Sequence, residues 1–181
     1  MLKGFDIKKY LSKKPKSDNS FDTVQELKEL NKIPINKKFI KDNDDVEGIF
    51  KKTAEQNNIK DYDKSIAAQA VESSAPIILK LKKYFNRSRP KVAAKKNNIK
   101  MQNVELDSMK TASYPSGHSV QGILIANLLA DKYPKAKTAF LKTGDNISKS
   151  RRVARAHFKS DSKLGEEIGR DMYEYIKKGR R

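Results

Sequence analysis

Ser116-Gly117-His118-Ser119-Val120-Gln121-Gly122-Ile123-Leu124-Ile125-Ala126-Asn127-Leu128-Leu129-Ala130-Asp131 carries the strongest periodicity in the chain. Val120, Ile123, Leu124, Leu128 and Leu129 fall at the spacing of one apolar helical face, which predicts an α-helix over residues 116–131. Ser116 is a suitable N-cap, and Pro134 stops the helix because it lacks the N–H a further turn needs.

The same period recurs on both sides. Downstream, Phe140, Leu141 and Ile147 point inward from a helix over residues 136–153. Leu164, Ile168, Met172 and Ile176, at spacings of four, define a last helix over residues 160–178. Upstream, Ile66, Ala70, Ile77, Ile78, Leu81 and Phe85 give a helix over residues 62–87, which Pro76 is expected to bend or restart near Ser73-Ser74. Short helices are expected at residues 21–30, capped by Ser20 or Asp22, and at 44–56, where Val46, Ile49 and Phe50 share a face. Residues 92–114 lack a strong period and read as a loop over or beside the site, with room for a short helix. Without repeats or strand patterns, the expected architecture is all-α: one helical bundle over residues 21–181, preceded by a basic segment, 1–20. Lys13-Lys14-Pro15-Lys16-Ser17-Asp18-Asn19-Ser20 marks that segment as a flexible linker or an arm that packs on the body.

A chain of 181 residues can bury a core without metal or disulfide staples. Forty Lys and Arg against 22 Asp and Glu give a formal net charge of +18. Such an excess favours encounter with anions and would support salt-sensitive adhesion to nucleic acid or to an anionic membrane surface, or simply a solvated surface. With no cysteine, thiolate metal sites and disulfides are excluded. No His or carboxylate set has metal-ligand spacing, so the expected chemistry is metal-independent. Leu2, Phe5, Ile7, Tyr10 and Leu11 are separated by lysines and form no export-signal core. The longest apolar run, residues 122–130, is about half of the roughly 20 residues a spanning helix needs. The expectation is a soluble, cytoplasmic or otherwise unexported protein.

Three short motifs carry the chemistry: Lys82-x6-Arg89-Pro90, Pro115-Ser116-Gly117-His118, and Ser150-Arg151-x5-His157-x3-Asp161. Between them they contain both histidines of the chain. A transferred phosphoryl group needs fixed cations and aimed N–H donors around its equatorial oxygens. Lys82, Arg89 and Arg151 supply the cations, and an arginine fork grips two oxygens at once. Ser116 and Gly117 stand where a helix begins, so free backbone N–H groups can meet an anion there. Two imidazoles can divide a two-step displacement between attack on phosphorus and proton transfer to the leaving group. Asp161, four residues beyond His157, is placed to fix its tautomer. Arg87, Lys91, Arg152, Arg155 and Lys159 flank these positions, and some are expected to line the mouth.

In this order the three motifs resemble the signature of the type 2 phosphatidic acid phosphatase superfamily, over roughly residues 73–165. That superfamily contains lipid phosphatases, soluble bacterial class A non-specific acid phosphatases and vanadium haloperoxidases. The resemblance to the class A enzymes implies a helical bundle, His157 as nucleophile, His118 as general acid and Asp161 as the partner of His157. It also implies Lys82, Arg89, Ser116, Gly117 and Arg151 as phosphate ligands. The implied activity is hydrolysis of phosphomonoesters, with pyrophosphate or lipid phosphates as further substrates, through a phosphohistidine and without a cofactor. Vanadate is then an inhibitor. The expected absence of spanning segments departs from the lipid phosphatases, and the expected absence of an export signal departs from the class A enzymes.

Two alternatives stand beside this reading. The same residues can hold vanadate as the cofactor of a haloperoxidase, although those enzymes are generally much larger. A basic nucleic-acid-binding protein is the other, but no recognised module or interleaved aromatics accompany the basic stretches. One geometric condition applies to the first reading: on a straight helix Arg151 and His157 would lie about 240° apart. The helix must break between them, at Val153-Ala154-Arg155-Ala156, where class A enzymes often carry a glycine, with a new cap expected at Ser160.

Overall fold

Gly117–Lys132 (α7) is the axis of the molecule, and the computed structural model describes residues 1–179 around it. Residues 180 and 181, the end of the expected 21–181 domain, lie outside the described residues. Ser116 caps α7 by accepting the Ser119 N–H. Burial extends well beyond the expected stripe to Gly122, Ile125, Ala126 and Ala130. Such a helix is buried on nearly all sides. Lys64–Phe85 (α5), Lys137–Val153 (α8) and Lys159–Gly179 (α9) pack around it.

Smaller helices complete the shell: Lys8–Leu11 (α1), Phe21–Lys32 (α2), Lys37–Asp42 (α3), Val46–Gln56 (α4) and Pro90–Lys96 (α6). Two 3-10 segments, Asp107–Lys110 and Pro134–Ala136, sit in the connections. Among the described residues there is no strand, so the all-α expectation is met. Among the described residues no helix is long and apolar enough to cross a membrane.

Glycines set the closest helix contacts. A Cβ on Gly165 would stand 2.6 Å from the Ser116 carbonyl oxygen, and one on Gly169 would stand 2.6 Å from that of Val120. Both distances are sub-van der Waals, so these two glycines, one turn apart, let α9 lie directly against the start of α7. Asp161 is thereby brought beside Ser116.

Pro76 does not restart α5, which runs unbroken from Lys64 to Phe85. Pro76 and Glu72 both lie on the exposed side, so the carbonyl that loses its helical partner faces water, while Ala70, Ser74, Ile78 and Leu81 keep the opposite side in the core. Residues 92–114 are less irregular than expected, because Pro90 opens α6 at its first position. Asn57-Asn58-Ile59 and Asn97-Asn98-Ile99 end α4 and α6 alike. The second Asn is left-handed (φ 55° in each), and the Ile N–H returns to Ala54 and Ala94 respectively. This is the Schellman closure, with asparagine in the usual place of glycine.

Of residues 1–20, expected as a mobile segment or a packed arm, the stretch up to Lys13 lies against α9 and Asp18 pairs with Lys96 of α6. Tyr10 is fully buried and donates to Asp171 at 2.6 Å, Lys13 pairs with Glu167, and Tyr175 donates to the Lys3 carbonyl.

Candidate active site

Two ends of α5 and α6 place the first pair of cations. Left-handed Asn86 (φ 46°) closes α5, and three residues later Arg89 begins α6. Lys82, on the last turn of α5, donates to the Ala112 carbonyl at 2.5 Å. The Arg89 fork is spread over the Thr111, Ser108 and Ala156 carbonyls at 2.9, 3.1 and 2.9 Å. Burial and the Arg89 charge bring Lys82 down to about 7, and burial brings Arg89 down to about 10.

At the start of α7, the expectation of free backbone donors needs one correction. The Ser116 N–H donates to the Asp161 carbonyl at 3.0 Å, because α9 approaches so closely here. With Ser119 taken by the cap, Gly117 and His118 carry the remaining first-turn N–H groups that the helix leaves unused. A Cβ on Gly117 would meet the Ile78 side chain at 3.3 Å and Lys82 Cε at 3.9 Å, so the glycine brings this turn against α5.

The α8–α9 junction breaks as the motif requires. Arg155 is left-handed (φ 55°), its N–H returns to Arg152, and that of Ala156 to Arg151. This is again a Schellman closure, here with arginine in a conformation that costs an L-residue roughly 1–2 kcal/mol. The Arg155 guanidinium bonds the Asn31, Ile33 and Gln102 carbonyls, which ties the break to the end of α2. Ser160 is not the new cap. Helix α9 begins at Lys159, Asp161 Oδ2 accepts the Phe158 N–H at 2.9 Å, and the Ser160 N–H donates to Glu26 of α2.

These elements bring the motif residues together. His157, 3% exposed, has Nδ1 3.3 Å from Asp161 Oδ2 and Nε2 2.9 Å from Arg89 Nη1. Arg151 is fully buried and its Nη1 pairs with Asp44 Oδ1 at 2.6 Å. His118 Nε2 lies 3.2 Å from the Asp44 carbonyl oxygen. Burial, with Arg151 nearby, lowers His118 to about 4, and burial followed by the Arg89 and Lys82 charges holds His157 well below the ordinary imidazole range. Both rings are therefore neutral at pH 7. Asp161 is raised by burial, against which Arg87 is the largest opposing influence.

Three residues of the site are not among the fixed positions of the motifs. Asp44, between α3 and α4, touches both Arg151 and His118. Buried Arg87 and half-buried Glu26 form an ion-pair chain behind Asp161. Nothing in local sequence marks Asp44 or Glu26, since their partners lie 107 and 134 residues away. Arg87, by contrast, is only two residues from Arg89.

The flanking cations do not line the cleft beside Asp44. A cleft of about 430 Å³, where Asp44 faces the Asp107–Lys110 segment, is lined by Asp44, Glu105, Leu106, Asp107, Met109 and Lys110. None of the five flanking cations lines it: Arg87 and Arg155 are engaged inside the protein, and Lys91 pairs with Glu105. Among the described residues no group of three or more His, Cys, Asp or Glu side chains could hold a metal ion.

Comparison with known proteins shows a distant similarity to bacterial non-specific acid phosphatases. The chain is 33% identical over 88 residues to the non-specific acid phosphatase of Salmonella typhimurium, and 32% identical over 88 residues to that of Salmonella typhi. Each match covers 49% of this chain, and the chain spans only about a third (35%) of the length of the curated relatives. No protein-family model matches. The similarity agrees with the resemblance read from the motifs and with the all-helical fold.

Proposed function

We propose that the protein is a phosphatase that hydrolyses phosphomonoesters through a phosphohistidine on His157. The observation that carries this reading is the His157 ring. One nitrogen faces a buried carboxylate, and the other, opposed only by a guanidinium donor, presents a lone pair amid the cations Lys82, Arg89 and Arg151.

Substrate binding exchanges protein acceptors for phosphoryl oxygens. Arg89 gives the N–H now held by His157 Nε2 to a phosphoryl oxygen without leaving its other partners, and Arg151 gives up Asp44. His157 Nε2 then attacks phosphorus, forming the N–P bond as the P–O bond to the leaving group breaks, while charge on the equatorial oxygens is held by the cations and the Gly117 and His118 N–H groups. Asp161 stabilises the Nδ1–H as positive charge develops on the ring. His118 donates the Nε2 proton it shares with the Asp44 carbonyl to the departing oxygen, then takes one from the water that cleaves the phosphohistidine. Free His118 is neutral at pH 7, so its acid role draws on the dianionic phosphoryl group, whose charge favours the protonated ring.

The relatives' name, non-specific acid phosphatase, supports this reaction class for the chain. The test is hydrolysis of p-nitrophenyl phosphate without added metal, from pH 4 to 8. Activity that vanishes in His157→Ala and is blocked by vanadate supports the reading. No activity at any pH, in a protein whose circular dichroism is helical, overturns it.

A further inference from the structure

We propose that Arg87, itself oriented by Glu26 of α2, is a positioning residue that fixes the tautomer of His157 through Asp161. This deepens the phosphatase reading and rests on it for its kinetic consequence only.

Arg87 is 5% exposed, and its surroundings are built rather than incidental. Nη1 donates to Asp161 Oδ1 at 2.7 Å and to Ser160 Oγ at 2.7 Å, while Nη2 donates to Glu26 Oε2 at 3.2 Å. Its guanidinium carbon lies 3.9 Å from the centre of the Phe158 ring. Glu26 closes the circuit by accepting the Ser160 N–H at 2.7 Å and the Ser160 hydroxyl at 2.6 Å. The first turn of α9 is thus clamped between an arginine and a glutamate from two other elements.

Asp161 has two oxygens with divided work. Oδ2 serves the site, facing His157 Nδ1 and taking the Phe158 N–H, and Oδ1 is held by Arg87. A carboxylate buried this completely is driven toward its neutral form unless a charge opposes it, and Arg87 is the cation in contact. As an anion Asp161 can only accept, so His157 carries its proton on Nδ1 and leaves Nε2 free. Were Asp161 protonated, its hydroxyl would become a donor, and His157 would gain a reason to hold the proton on Nε2, the atom that must attack. One segment therefore serves both faces of the same ring: Arg89 meets Nε2, and Arg87 acts on Nδ1 through Asp161. Glu26 adds a role for α2, which lies outside all three motifs.

With only two imidazoles in the chain, long-range ¹H–¹⁵N spectra can resolve both rings and read the His157 tautomer directly at pH 7. Spectra and p-nitrophenyl phosphate kinetics are to be compared for wild type, Arg87→Gln, Arg87→Lys and Glu26→Gln. The wild type is expected as a single Nδ1–H tautomer. Arg87→Gln should mix in or favour Nε2–H and lower kcat about 10- to 100-fold, the scale seen when a ligating histidine loses its outer partner, with KM changed less than about twofold. Arg87→Lys should restore much of the Nδ1–H signal and part of kcat. Glu26→Gln, at a partly exposed side chain, gives a milder version of the same shift if Arg87→Gln fails to fold. An unchanged tautomer in every folded variant, or a wild type that carries Nε2–H, overturns the proposal. A tautomer shift in a protein that hydrolyses no phosphoester supports the positioning role and overturns the phosphatase reading instead.

Discussion

Arg89 Nη1 lies 2.9 Å from His157 Nε2. A guanidinium only donates, so this contact suits Nε2 as an acceptor and works together with Asp161, which faces Nδ1, in holding the ring proton on Nδ1. The same fork reaches the Ser108, Thr111 and Ala156 carbonyls, so its plane is fixed before any substrate arrives. Lysine offers one ammonium and cannot hold these directions together. Arg89→Lys is therefore expected to lower kcat/KM for p-nitrophenyl phosphate roughly 100-fold. Far-UV circular dichroism should be unchanged, because Arg89 caps α6 without a side-chain bond. A loss below about threefold would remove Arg89 from the phosphate site.

Asp44 concerns the opposite side of the site. Its carboxylate occupies Arg151 Nη1, so it competes with a phosphoryl oxygen, and its charge supports the protonated form of His118. Asp44→Asn should bind inorganic phosphate more tightly, with an inhibition constant roughly tenfold lower, on the scale of one charge-assisted hydrogen bond. His118 should at the same time be lowered further, moving the alkaline limb of the rate profile to lower pH. Weaker phosphate inhibition, or a limb that moves upward, would show that Asp44 organises Arg151 instead of competing for it.

What the sequence revealed and what it hid divide along physical lines. The period around Val120 and Leu124 is local, so α7 was legible. Likewise Lys82, Arg89, His118 and His157 sit in motifs whose internal spacing is short. Helix ends were legible only where familiar residues mark them: Arg155 adopts the conformation a glycine would signal, and the two Asn-Asn-Ile closures carry no glycine either. Pro76 misled because its cost depends on which side of the helix faces water, a tertiary property. Asp44, Glu26 and the acidic cleft arise from segments that meet only in the folded chain.

Arg155 offers a test of how the α8–α9 break is held. Replacing it by glycine relieves the left-handed strain but removes the bonds to Asn31, Ile33 and Gln102, whereas alanine removes the bonds and keeps the strain. Both variants should be less stable than wild type in urea. Arg155→Ala should be the worse by about 1 kcal/mol, the difference between alanine and glycine in this conformation. Equal stabilities for the two would mean that Arg155 leaves the left-handed region in solution.

The two imidazoles also fix the direction in which stability changes with pH. His118 has a folded value of about 4, below the roughly 6.5 of an unfolded histidine. At pH 7 the folded form is unprotonated and the unfolded form largely so, so His118 costs little. Between pH 6.5 and about 4 the unfolded chain takes up a proton that the folded chain refuses, and stability falls as pH falls; below about 4 both are protonated and the loss stops growing. At pH 5 this amounts to about 2 kcal/mol for His118 alone. His157, lowered in the same direction, adds to the loss. Asp161, raised by burial, acts with the opposite sign, because as pH falls its folded form takes up a proton before the unfolded chain does. Urea unfolding of wild type and His118→Gln at pH 7 and pH 5 separates these contributions, since those of His157 and Asp161 are common to both proteins. The stability drop from pH 7 to pH 5 should be about 2 kcal/mol smaller in the variant, and an equal drop in the two proteins would mean that His118 takes up its proton as readily in the folded chain as in the unfolded one.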